Sequence, residues 1–190
     1  MNRRRLLTHA AALPVLLASS AARRALAQPK LDPENTLYMD LTYGRVVIEM
    51  FPKLAPDTVA QIKTLVRQGF YDGTPFHRVI EGFMAQGGDP TGTGMGGSKL
   101  PNLPPEFTNS RHFLRGTCGM ARASAPNSGN SQFFIMFGPA PSLDGQYTIW
   151  GQVVQGMDYV DKIKRGTGPN GMVEGTPDRI VRMRVAADVK

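Results

Sequence analysis

The chain has 190 residues with 22 Lys and Arg against 15 Asp and Glu, a formal net charge of +7 that at first suggests a nucleic-acid partner. Five of those cations (Arg3, Arg4, Arg5, Arg23 and Arg24) lie in the first 27 residues, which hold no acid, so residues 28–190 carry 17 cations and 15 anions. A near-neutral body of this length, with 41% hydrophobic residues over the whole chain, can bury roughly 70% of its unfolded surface, which excludes a disordered tail protein and removes the case for nucleic-acid binding.

Residues 1–27 read as a cleavable export signal: Arg3 to Arg5 form a charged start, a mostly apolar stretch follows, and Ala25-Leu26-Ala27 offers a small-x-small cleavage site before Gln28. Thr8, His9 and Pro14 interrupt the apolar stretch, so it is too short to anchor in a bilayer, and no stable membrane association is expected after cleavage. The paired arginines and the weakly apolar stretch resemble a bacterial twin-arginine signal, favoured here over the general secretion route. The expected location is periplasmic or secreted. Cys118 is the only cysteine, so no intrachain disulfide is possible, and its strand-like setting reads as a buried small hydrophobe.

Residues 28–35 (QPKLDPEN) read as a linker, and residues 36–190 as a single domain. Alternation over residues 36–42, a Tyr43-Gly44 turn and a second run over 45–50 predict a hairpin. Pro56-Asp57-Thr58 opens a helix with an apolar stripe of Val59, Ile62, Leu65 and Val66 that stops at Gly69. Short strands are expected at 77–80, 83–86, 117–123, 132–137 and 148–154, a second short helix at 157–164, and a last strand at 179–189. In that last strand Val181, Met183 and Val185 alternate with Arg182 and Arg184, which places the arginines on a solvated face. Many short strands with two helices predict a mainly β protein, an antiparallel barrel or sandwich.

Several motifs lead nowhere. Residues 92–97 (GTGMGG) fit the G-x-G-x-x-G pattern, but Asp89-Pro90 precedes them and three prolines with no helical period follow, so a structural glycine loop is expected rather than a nucleotide site. His77, His112 and one Cys in unrelated settings do not make a metal site, and Ser128 and Ser131 lack the context of an acyl-transfer nucleophile. No cofactor or metal is expected.

More informative are residues 76–89 (FHRVIEGFMAQGGD) and 129–137 (GNSQFFIMF), where Arg78, Gln86 and Gln132 sit among aromatics and Met at strand spacing. Such aromatics are more often core than pocket, yet an apolar wall with a few polar groups is the make-up of a peptide or small-molecule site. With GMARA (residues 119–123), NSGNSQFFI (127–135) and SLDGQYTIWGQVVQGMD (142–158), these segments resemble, in order, the signature segments of the cyclophilins, the peptidyl-prolyl cis-trans isomerases.

The resemblance implies a closed eight-stranded antiparallel β-barrel capped by two α-helices. It implies Arg78 as the catalytic residue, a proline pocket of Phe83, Met84, Phe134 and Leu143, and peptide contacts from Gln86, Ala121, Arg122 and Gln132. Tyr147 falls on the family's pocket-edge histidine. Ser142 stands where many members have Trp or Phe, which implies weak cyclosporin binding, and Arg122 where Asn is frequent, which implies an altered subsite. The function implied is rotation about X-Pro bonds of proline-containing polypeptides, assisting the folding of exported proteins, by a monomer. The alternative is a proline-peptide binding module or chaperone with little turnover.

Overall fold

A computed structural model describes residues 30–189; the expected signal lies outside them. Within the segment read as a linker, Pro33–Asn35 forms a 3-10 turn, capped by the Asp32 carboxylate accepting from the Glu34 N–H. Glu34 then pairs with Lys63 and Arg67, so this stretch is docked onto the domain.

Eight strands follow: β1 (Thr36–Leu41), β2 (Gly44–Met50), β3 (Arg78–Ile80), β4 (Met84–Gly87), β5 (Thr117–Met120), β6 (Phe133–Met136), β7 (Ile149–Gln155) and β8 (Arg182–Val185). All pairings are antiparallel, in the order β3-β4-β6-β5-β7-β2-β1-β8. The expected closed barrel is corrected here: the sheet is open and curled, and its edge strands β3 and β8 do not pair. Residues 73–76 and 178–180, just before those two strands, exchange backbone hydrogen bonds around a single Pro75–Arg179 bridge. Pro75 has no N–H to give to a ladder, which restricts what can form at this point.

Helix α1 (Pro56–Arg67) buries the expected stripe of Val59, Ile62, Leu65 and Val66. It ends in a Schellman motif: Gly69, at φ 68°, donates to the Val66 carbonyl and Phe70 to that of Leu65. Its start has no side-chain cap of its own, because Ala55 stands at the N-cap. Glu106 supplies one instead, its two carboxylate oxygens accepting from the Asp57 and Thr58 N–H groups at 2.9 Å each. The second helix, α2 (Met157–Val160), is a single turn, shorter than the expected 157–164.

Alternation gives the sheet two apolar faces. Ala85, Phe133, Ile135, Cys118 and Trp150 join the main core together with α1, whereas Met84, Phe134, Met136 and Ile149 form a second cluster with Phe113. Cys118 is fully buried, as expected, and burial pushes its thiol well above the ordinary range, leaving it a packing residue. In β8 the alternation holds for Met183 and Val185 only. Val181 precedes the strand and is 54% exposed, while Arg184 is half-buried and bonded to Asp72 rather than simply solvated.

Candidate active site

The second apolar cluster opens to solvent because one row of the sheet carries an unusual set of side chains. The register sets Arg78 of β3 opposite Gln86 of β4, Gln86 opposite Phe134 of β6, and Phe134 opposite Gly119 of β5. A cation, an amide and an aromatic ring thus share one face in a line across the sheet, and the fourth position has no side chain. A Cβ at Gly119 would overlap the Phe134 ring and press on Phe113, so the glycine is what allows those rings to lie flat beside β5. Phe134 stacks on Phe113 at 5.6 Å between centroids and meets the edge of Tyr147 at 5.7 Å.

These groups enclose a pocket of about 210 Å³. Phe83, Met84, Phe134, Leu143 and Tyr147 give its apolar wall, with Arg78, Gln86, Ala121 and Arg122 around them. Nine of the ten residues singled out in the sequence therefore meet in one place. Gln132 does not line this pocket and belongs to an adjoining recess of about 510 Å³. The two share Gln86, Ala121 and Arg122.

Gln132 acts at one remove. Its Nε2 donates to the Gly94 and Gly96 carbonyls at 2.9 and 2.8 Å, its Oε1 accepts from Gln86 Nε2 at 2.9 Å, and Gln86 Oε1 accepts from Arg78 Nη1 at 3.1 Å. A chain of amides thus ties the glycine loop to the guanidinium. Arg78 Nε donates to the Asn170 carbonyl at 2.8 Å, fixing the fork from the other side. Asn170 holds φ at 55°, the left-handed region that Asn tolerates better than most residues. Both acceptors of Arg78 are neutral, and no carboxylate lies within ion-pair distance of it among the described residues. Its charge is held in place but not cancelled.

The glycine loop is built around Asp89, which is fully buried. Burial works against its charge, but hydrogen bonds from the Thr91 hydroxyl and from the Thr91, Gly96 and Gly94 N–H groups outweigh this and hold its pKa below the usual carboxylate range. No helix follows the loop, in keeping with a structural role for residues 92–97. His77, one residue from Arg78, is 2% exposed, and neither of its ring nitrogens has a hydrogen-bond partner.

Arg122 is committed in a different way. Its Nε and Nη2 donate to the Gln146 carbonyl at 3.1 and 3.0 Å, its Nη1 to the Ala123 and Ser124 carbonyls, and its plane lies 4.6 Å from the centre of the Tyr147 ring. Ser142 is exposed in the 3-10 turn Pro141–Leu143 and contributes no ring to the wall. Phe113, Gly119 and Asn170 escaped the sequence reading. Only Gly119, inside an apolar strand-like run, carried any local signal that something approaches the backbone closely.

A hydrophobic slot with a fixed, unneutralised guanidinium at its rim suits a ring-shaped apolar group joined to a polar backbone. The comparisons with known proteins agree. A family model described as cyclophilin type peptidyl-prolyl cis-trans isomerase/CLD matches residues 36–185. A probable peptidyl-prolyl cis-trans isomerase of Brucella suis biovar 1 is 51% identical over 193 residues, covering 95% of this chain and 96% of the relative. The human peptidyl-prolyl cis-trans isomerase-like 1 is 40% identical over 146 residues, covering 75% and 82%. Among solved structures, cyclophilin AquaCyp293 from Hirschia baltica matches with a TM-score of 0.74 at 31% identity, over 84% of this chain and 77% of that one. A Cryptosporidium parvum cyclophilin type peptidyl-prolyl cis-trans isomerase, crystallised in the presence of the dipeptide Ala-Pro, matches at 0.71 and 30%, over 79% and 98%. On sequence and on fold, this chain belongs to the cyclophilin-type peptidyl-prolyl cis-trans isomerases.

Proposed function

We propose that the chain catalyses cis-trans rotation about X-Pro bonds in polypeptides, with Arg78 as the catalytic residue. The observation that carries this reading is the Arg78 guanidinium, held by two neutral oxygens at the mouth of an apolar pocket.

The X-Pro bond resists rotation by about 20 kcal/mol because the nitrogen lone pair is delocalised into the carbonyl. Near 90° of twist the lone pair returns to the nitrogen, which becomes a hydrogen-bond acceptor only there. A guanidinium aimed at that nitrogen stabilises the twisted form over both planar ones, the differential binding a catalyst needs. Arg suits the task because it stays charged and does not abstract protons. In this reading Phe83, Met84, Phe134 and Leu143 hold the proline ring and Tyr147 closes the pocket edge. Gln86 and the backbone at Ala121 hold the neighbouring peptide, and Gln132 keeps Gln86 in place. The chemistry calls for no nucleophile and no cofactor.

An exchange measurement on an X-Pro peptide with the full chain tests the reading. Faster cis-trans exchange that is lost in Arg78→Ala is expected. Binding without accelerated exchange would favour the proline-peptide binding module or chaperone, and acceleration equal in Arg78→Ala would remove Arg78 from its role.

The same reading places the enzyme in the periplasm or outside the cell, acting as a monomer on newly exported proteins. The charged, apolar and small-residue order of residues 1–27 supports export, and a buried lone thiol is compatible with an oxidising setting. Mass spectrometry of the exported protein should find a mature N-terminus at Gln28.

A further inference from the structure

We propose that Arg122 makes this groove selective for X-Pro segments carrying an acidic side chain within about three residues of the proline, on the flank that crosses the recess beside the proline pocket. The inference rests on the isomerase reading above and adds to it a class of substrate.

Its basis is the distribution of charge. The pocket and the adjoining recess together are lined by two charged side chains, Arg78 and Arg122, and by no carboxylate. Arg122 borders both cavities. It donates only to neutral carbonyls, those of Gln146, Ala123 and Ser124, so its hydrogen bonds fix its position and leave its charge intact. Five other arginines are paired, Arg45 with Asp40, Arg67 with Glu34 and Asp188, Arg115 with Asp161, Arg165 with Glu81, and Arg184 with Asp72, whereas Arg111, Arg179 and Arg182 carry no carboxylate partner among the described residues but line neither cavity.

The acids nearest in sequence to the groove residues are engaged elsewhere. Glu81 is paired with Arg165, Asp89 is enclosed by the glycine loop, Glu106 caps α1, and Asp144 accepts from the Phe113 N–H and shares a hydrogen bond with His112 Nδ1. A peptide lying across the two cavities therefore meets positive charge without a compensating negative group. The recess offers hydrogen-bond partners in Ser98, Asn102, Ser128 and Asn130 but no second ion, so an acidic side chain entering it finds Arg122 as its charged partner. A lysine there meets repulsion instead.

The test measures kcat/KM of the full chain on X-Pro peptides bearing Glu, Gln or Lys at each of the three positions on either side of the proline. With the Gln peptides turned over, Glu should exceed Lys on one flank by on the order of fivefold at low salt. The ratio should fall toward unity in 1 M salt, where the Debye length is about 3 Å. Arg122→Gln should abolish the ratio, and Arg122→Lys, which keeps the charge and loses the fork, should retain it. Equal rates for Glu and Lys peptides at every position, with the Gln peptides turned over, would overturn the inference. So would a preference that survives in Arg122→Gln, which would belong to Arg78, or one lost equally in Arg122→Lys, which would belong to the shape of the clamp. Failure to turn over any of the peptides, Gln included, would remove the isomerase reading and this inference with it.

Discussion

The guanidinium of Arg78, the catalytic group in the proposed function, owes its position to other residues. Its direction is set by the Asn170 carbonyl on one side and, on the other, by two amides that end on the glycine loop. Replacing Arg78 with Ala should cost about 2–4 kcal/mol of transition-state stabilisation, read as a fall in kcat/KM for an X-Pro peptide, with a smaller change in peptide affinity. Ser142 is expected to limit inhibition by cyclosporin, since it leaves that side of the pocket without a ring. Ser142→Trp should tighten cyclosporin inhibition by about tenfold, roughly 1.4 kcal/mol, in a competitive inhibition assay. Residue type and spacing alone marked out only Arg78, Gln86 and Gln132 among aromatics, and the residues that line the pocket were legible through the family resemblance of long, ordered segments. Those that shape it from behind were not: Gly119 matters through what it lacks, and Asn170 through its backbone oxygen, 92 positions from Arg78.

At the level of elements, the strands were read in the right order, and their ends moved where the ladder stops. The run expected over 117–123 leaves the sheet after Met120, and the Ala121 N–H then reaches the Gln132 carbonyl outside any named strand. That departure brings Arg122 to the groove. Helix α1 was legible at both ends from Pro56 and Gly69, but its cap was not, because Glu106 comes from a loop some 49 residues away. Glu106→Ala should destabilise the domain by about 1 kcal/mol, measured as a lowered midpoint in urea with an unchanged slope, and increase amide exchange at Asp57 and Thr58. The glycine loop, legible only as a failed nucleotide motif, serves as the anchor of the amide chain. Its carboxylate binds by being charged, so the depressed pKa of Asp89 contributes stability that is complete above the ordinary carboxylate pKa and is lost as pH falls through the lowered folded value.

For the whole molecule, a second acid sensitivity sits above that range. Burial lowers the pKa of His77, opposed by the nearby Asp89 charge, so the unfolded chain takes up this proton before the folded one. Stability should therefore be unaffected above about pH 7 and decline as pH falls below the ordinary histidine value of about 6.5, by at most about 1.4 kcal/mol per pH unit for one proton. Denaturant midpoints between pH 8 and 5 should show this decline, and His77→Phe should flatten it. The fold class was legible because alternation and turn residues repeat along the whole chain. Closure was not, since whether two edge strands meet depends on segments such as residues 73–76 and 178–180 that make single bridges instead of ladders.

The docked turn at Pro33–Asn35 and the C-terminal turn Ala186–Asp188 meet at Arg67, which holds Glu34 with one nitrogen and Asp188 with another. The two extremities of the domain are thereby neighbours, and its path through space is nearly that of a ring. A short peptide could join residue 189 to residue 31 and new ends be opened at the exposed stretch 109–111, giving a circular permutant in which every strand pairing and the row from Arg78 to Gly119 are preserved.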